Sequence, residues 1–127
     1  MRPKVAGRVV IARSVPRFTG GVLRVQIEDV SDIDRASEIV GAVTLSGVSH
    51  DPGAPRETVV PFSLTPDRDV DPTRHYSLRA SLEAGGPDGA SALHLRTDQA
   101  YPVLTRGFGS DAALTLAKWT RRPRTRP

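Results

Sequence analysis

Leu23-Arg24-Val25-Gln26-Ile27-Glu28 alternates an aliphatic with a hydrophilic side chain at every step. Successive side chains of an extended chain point to opposite faces, so this period of two reads as a half-buried strand. Leu23, Val25 and Ile27 turn inward, and Arg24, Gln26 and Glu28 face water. Upstream, Val5, Gly7, Val9 and Ile11 alternate in the same way with Lys4, Ala6, Arg8 and Val10. Phe18-Thr19-Gly20-Gly21 between the two reads as a turn, so the two strands are expected to form a pair or sit close together.

The pattern continues downstream. Asp29-Val30-Ser31-Asp32-Ile33-Asp34 forms a corner of short side chains that bond local backbone groups. A third strand follows with Ile39, Val43 and Leu45 on one face, then an exposed loop over 47–55 that places His50 at the surface. Val60, Phe62 and Leu64 line a fourth strand. Pro61 within it has no N–H to give, which predicts either an edge strand or one that turns that bond toward solvent. After a turn-rich stretch over 65–72, Tyr76, Leu78, Ala80 and Leu82 make a fifth strand and Leu93, Leu95 and Thr97 a sixth, joined by a hairpin loop at 85–89. Outer-face charges fix the register of that hairpin by setting Arg79 against Asp98 and Glu83 against His94. Leu114 and Leu116 point inward from a seventh strand, with Trp119 near its end.

Seven short strands separated by turn clusters, with no helical period of useful length, predict an all-β fold. The expected architecture is a single seven-stranded antiparallel β-sandwich over 4–119; a partly closed β-barrel is the alternative. Length agrees, because 127 residues suit one domain with one core. The 11 Gly and 11 Pro agree too, since they leave little room for a long helix.

The net charge of +4 resembles a nucleic-acid signature until it is located. Arg121, Arg122, Arg124 and Arg126 account for all of it, and the rest of the chain is balanced against 14 acidic residues. Such a tail attracts anions weakly and without sequence preference, and residues 120–127 are expected to be disordered. No specific nucleic-acid partner is indicated. A second cluster, Lys4, Arg8 and Arg24, with Arg2, Arg13 and Arg17 nearby, precedes the first acid and forms a candidate anionic-partner patch, although aromatic side chains for base stacking are lacking there.

No catalytic constellation emerges. With no cysteine, disulfides, thiolate metal sites and a Cys nucleophile are excluded. Gly107-Phe108-Gly109-Ser110-Asp111-Ala112 loosely matches a dinucleotide fingerprint, yet a strand rather than a helix is expected to follow it, so it reads as a turn. Asp67, Asp69 and Asp71 have calcium-loop spacing, but Pro72 and Leu78 stand where such a loop needs Gly and Glu. His50, His75 and His94 are not expected to converge. The chain therefore reads as a non-enzyme with no cofactor and no metal site.

Several short motifs together resemble one family. Val5-x-Gly7-x-Val9, Asp29-Val30-Ser31, Val60-Pro61-Phe62, Asp71-Pro72 before Tyr76, and above all Asp98-x-x-Tyr101-Pro102-Val103-Leu104-Thr105-Arg106-Gly107 look like the YbaY/YscW-type lipoprotein family, in order, from Val5 to Leu116. The resemblance implies a β-sandwich tethered to a bacterial envelope membrane by a lipidated cysteine. Some relatives act as small chaperones, or pilotins, for an outer-membrane secretin of type III secretion, and the YbaY branch is loosely associated with envelope or polysaccharide functions. No catalytic residues are carried over.

The signature residues Asp29, Val30, Ser31, Pro61, Phe62, Asp98, Tyr101, Pro102, Val103, Leu104 and Thr105 are expected to maintain the fold. Tyr101 would pack on the core with its hydroxyl on backbone, Pro102 would fix a crossing, and Asp98 would cap the turn. The functional expectation is a noncatalytic, envelope-associated binding or chaperone-like module that takes an envelope protein or extended peptide at a sheet edge or at the basic N-terminal face. A carbohydrate- or polyanion-binding β-sandwich is the alternative. As written, the chain lacks a signal-peptide core and any membrane-spanning run and reads as cytoplasmic; an upstream signal and lipobox would place it in the envelope.

Overall fold

The computed structural model describes residues 3–32, 36–85 and 91–123. The strands in chain order are β1 (Val5–Ile11), β2 (Phe18–Asp29), β3 (Glu38–His50), β4 (Thr58–Leu64), β5 (Tyr76–Gly85), β6 (Ser91–Arg96), β7 (Tyr101–Val103), β8 (Asp111–Leu116) and β9 (Lys118–Pro123). They form a small sheet ordered β4-β1-β8 and a large sheet ordered β3-β2-β5-β6-β9, with β7 also paired to β5. The sheets do not close into a barrel. An all-β sandwich is therefore confirmed, with nine strands among the described residues instead of seven. One pair departs from the antiparallel rule, since β1 and β8 run parallel.

The alternating aliphatic stripes make the core. Val5, Val9, Ile11, Leu114 and Leu116 from the small sheet meet Leu23, Val25, Ile27, Leu78, Leu82 and Leu95 from the large one, all fully buried. Each such burial is worth about 1.5–3 kcal/mol relative to an exposed side chain. β4 lies at the edge of its sheet with Pro61 exposed, as its missing N–H requires. The hairpin register also holds, with Glu83 opposite His94 and a side-chain contact of 3.1 Å. The loop over 86–90 lies outside the described residues.

The structure departs from the sequence pattern at several places. β1 and β2, adjacent in sequence, sit in different sheets, because the chain crosses between them and buries Val15 on the way. Phe18–Gly21 belongs to β2 instead of forming a turn: register shifts there accommodate an irregular strand, with Gly20 at φ +65°, a conformation open to glycine. A further shift at Ile27/Glu28 reverses the start of β3, so that Val40 is buried and Ile39 exposed; Glu28 keeps its outer-face position opposite Ser77 and is buried there in contact with Gln26, Ser37 and Arg79. Finally, β3 continues through the expected loop to His50, which is buried, with Nε2 on the Val15 carbonyl (3.0 Å) and Nδ1 on Thr58 Oγ1 (2.6 Å).

β9 likewise continues past Trp119 into the segment expected to be a disordered tail, pairing with β6; residues 124–127 lie outside the described residues. Arg79 does not turn to Asp98 but lies 3.5 Å from Glu28.

The β1–β8 pairing depends on a close approach at Gly7. A Cβ there would stand 1.9 Å from the Ala112 carbonyl oxygen, and that atom is backbone. Gly7→Ala is expected to lower unfolding free energy by about 2–3 kcal/mol or to block folding, as read by urea denaturation. A wild-type midpoint for this variant would contradict the parallel pairing.

A candidate docking groove at the signature end

One side of β5 pairs with β2, and the other is shared by two partners. β6 pairs with its later half and β7 with its start, and the register slips between them. Ser81 faces Arg96, so an unbroken ladder would bring Gln99 opposite Leu78; Tyr101 stands there instead. The extra chain is extruded as an exposed segment, Asp98-Gln99-Ala100. Thr97 anchors its near end by donating its N–H to the Ala80 carbonyl (3.0 Å), and Tyr101 anchors the far end by donating its N–H to Ser77 Oγ (3.1 Å).

The chain then leaves the large sheet for the small one. Tyr101 spans the gap: paired with Leu78 in the large sheet, its hydroxyl accepts the N–H of Thr115 on β8 (3.1 Å). Beyond Val103 the backbone turns sharply, with Leu104 at φ 75°, Arg106 at φ 61° and Gly107 at φ 88°. Left-handed conformations at two non-glycine residues are costly and persist only when their surroundings enforce them. Here the enforcement is visible. Thr105, buried, donates its hydroxyl to the Arg74 carbonyl (2.6 Å), Arg106 donates to the Thr73 carbonyl (3.0 Å), and the Leu104 N–H bonds the Gly109 carbonyl (2.9 Å).

The 71–76 turn that receives these bonds is itself tied to the corner after β2. Arg74 pairs with Asp29 (2.8 Å) and Asp32 (3.2 Å). Ser31 Oγ accepts the His75 N–H (2.8 Å), and the Val30 N–H donates to the His75 carbonyl (2.9 Å). Tyr76, buried, accepts the Asp71 N–H at its hydroxyl (3.1 Å). Burial works to raise the Asp29 pKa, but hydrogen bonds from Arg74 and from the Ser31 hydroxyl and N–H outweigh it and hold the carboxyl below its ordinary value.

Most signature residues thus converge at one end of the sandwich: Asp29, Val30 and Ser31 from the first corner, Tyr101, Pro102, Val103, Leu104 and Thr105 from the crossing, and Asp98 on the extruded segment. Pro61 and Phe62 do not join them, lying on β4. Asp98 is exposed, and no hydrogen bond ties it to a described residue. Lys4, Arg8 and Arg24 are also not gathered: Arg8 rides on the small sheet and Arg24 on the large, so they share no single face.

Around the converged residues runs a groove. One hollow of about 170 Å³ is walled by Val30, Pro102 and Phe108, and it shares Val30, Ser77 and Ala100 with a second of about 370 Å³ that reaches Glu28, Arg79 and Asp98. Val30 (42%) and Phe108 (51%) are among the few large hydrophobic side chains left exposed. The sequence reading missed Phe108, because Gly107–Gly109 registers only as a turn. His50, His75 and His94 do not cluster, and Asp71 bonds the Thr73 N–H and hydroxyl. Among the described residues no group of three His, Cys, Asp or Glu side chains is placed to hold a metal ion.

The fold is a two-sheet β-sandwich with a strapped loop end. The model of one family, the type III secretion system lipoprotein chaperone (YscW), matches residues 1–116, and the chain belongs to that family. The family points to the bacterial envelope. No curated protein matches the chain. Among solved structures, an alternative pilotin from the type II secretion system of Vibrio cholerae superposes with a TM-score of 0.71 at 19% identity, covering 92% of this chain and 96% of that one. At that identity the likeness establishes the shared fold.

The Asp29–Arg74 pair gives this end a defined acid response. A carboxyl depressed in the folded state contributes stability above its unfolded pKa, about 3.9, and that contribution is lost as pH falls through the folded value. Arg74→Met should therefore lower stability at pH 7 and flatten the further loss of stability on going from about pH 4 to about pH 2. Urea titrations at both pH values check this; parallel curves for variant and wild type would show that the pair is not coupled to folding.

Proposed function

We propose that this chain is a noncatalytic, envelope-associated chaperone of pilotin type that holds a segment of a secretion-system membrane protein, such as a secretin, in the groove at its signature end. The observation that carries the reading is the convergence itself. Residues spread from Asp29 to Thr105 build one polar-strapped platform, and that platform presents Val30 and Phe108 to solvent beside a hollow. The hydrogen bonds here are numerous enough to hold an unfavourable backbone in place, which keeps the apolar side chains displayed in a fixed geometry. Pre-organisation of that kind lowers the entropic cost of binding.

On this reading the signature residues divide by what they touch. Asp29, Ser31, Tyr101 and Thr105 hold the platform, whereas Val30, Asp98 and Pro102 border the groove and meet the partner. The family's printed role, a lipoprotein chaperone of type III secretion, and the pilotin fold of its structural relative support the partner class. β4, the edge expected to accept an extended peptide, leaves a shallow recess with Val43, Leu45 and Phe62 but lacks comparable straps.

Co-expression with the cognate secretin tests the proposal. Phe108→Asp should reduce co-purification at least about tenfold, equivalent to 1.4 kcal/mol, with the thermal midpoint unchanged. Val59→Asp, which alters an equally exposed side chain on β4, should leave it intact. Loss of binding in the second variant alone would move the site to the β4 edge.

A further inference from the structure

The outer face of the large sheet carries a row of cations that the groove does not use. Arg24 on β2 stands opposite Ser81 on β5, Ser81 opposite Arg96 on β6, and Arg96 opposite Lys118 on β9. The row crosses three strand spacings, about 14 Å. All three cations are exposed, and among the described residues none is in an ion pair; Arg24 only donates to Gln26 Oε1. Arg79 on the same face is matched by Glu28, and His94 contacts Glu83. Like charges placed directly opposite each other, as Arg96 and Lys118 are, destabilise a sheet.

Protection against edge-to-edge aggregation explains a lysine on an edge strand. It explains Lys118. It does not explain Arg96, one strand further in, or Arg24, two strands beyond that.

β9 ends the large sheet, so one side of its backbone has no strand partner among the described residues. Over the β6–β9 pair lies a hollow of about 330 Å³ bordered by His94, Arg96, Asp98, Lys118 and Trp119, and Trp119 is 40% exposed. Trp119 pairs with inward-facing Leu95, whereas Lys118 pairs with outward-facing Arg96, so the two side chains mark opposite faces of the same edge.

We propose that the β9 edge binds an acidic, extended peptide segment that adds to the large sheet as a further strand. Its backbone would pair with the free edge of β9. Its acidic side chains, at every second position, would lie opposite Lys118 and relieve the Arg96–Lys118 repulsion, and the apolar residues between them would cover Trp119. An anionic lipid surface or a polyanion offers the charge but no strand to the backbone. This site is independent of the groove at Phe108 and would hold if that groove bound nothing.

Trp119 is the sole tryptophan, so its fluorescence reports this edge alone. A short end-blocked peptide alternating Glu and Val is titrated into the full chain. Saturable binding with a blue shift is expected, weakened at least tenfold in R96Q/K118Q and by N-methylation of the peptide at alternate residues, and unchanged in F108A. Equal binding of poly-glutamate or of phosphatidylglycerol vesicles would overturn strand addition in favour of a simple polyanion surface. Absence of a saturable response, or wild-type affinity in R96Q/K118Q, would overturn the site.

Discussion

Val103 pairs with Tyr76 in the large sheet and Asp111 with Ala6 in the small one, so the chain must change sheets within residues 104–110. So short a crossing forces a sharp reversal, and the reversal requires left-handed backbone at Leu104 and Arg106. Neither residue tolerates that conformation cheaply. The cost is met by bonds from Thr105 and Arg106 to the 71–76 turn, which in turn is fastened through Arg74 to Asp29 and Asp32. The architecture of the whole end follows from this one constraint, including the hollow beside Val30 and Phe108.

Much of the core was legible because its information is local. A period of two at Leu23, Val25 and Ile27, or at Leu93 and Leu95, states which side chains turn inward without reference to any neighbour. Sheet membership is different. That β1 pairs with β8, distant in sequence, and not with β2 depends on long-range packing, and no residue in either strand announces it. The supposed basic patch failed for the same reason, since Arg8 and Arg24 are near in sequence yet belong to different layers.

Irregularities account for the other departures. Each register shift reverses the inward set beyond it, as at Ile27/Glu28, where Ile39 loses its place in the core to Val40. The extrusion at Asp98–Ala100 was legible only as a motif: the Asp-x-x-Tyr-Pro spacing marks a break in β5's pairing, but only coordinates reveal that the break builds a wall. Buried His50 escaped because a histidine beside Asp51-Pro52-Gly53 looks like part of a loop, whereas its ring satisfies Val15 and Thr58 deep in the β3–β4 end.

The account rests on the strapped crossing being the surface that meets a partner. The most direct measurement is a backbone amide titration by nuclear magnetic resonance, with the proposed secretin partner added to labelled protein. Resonances of Val30, Ala100 and Phe108 should move most, with those of Thr105 and Arg74 shifting little because their bonds are already made. Changes confined to Val43, Leu45 and Phe62 would contradict the account and put the partner at the open seam between β3 and β4.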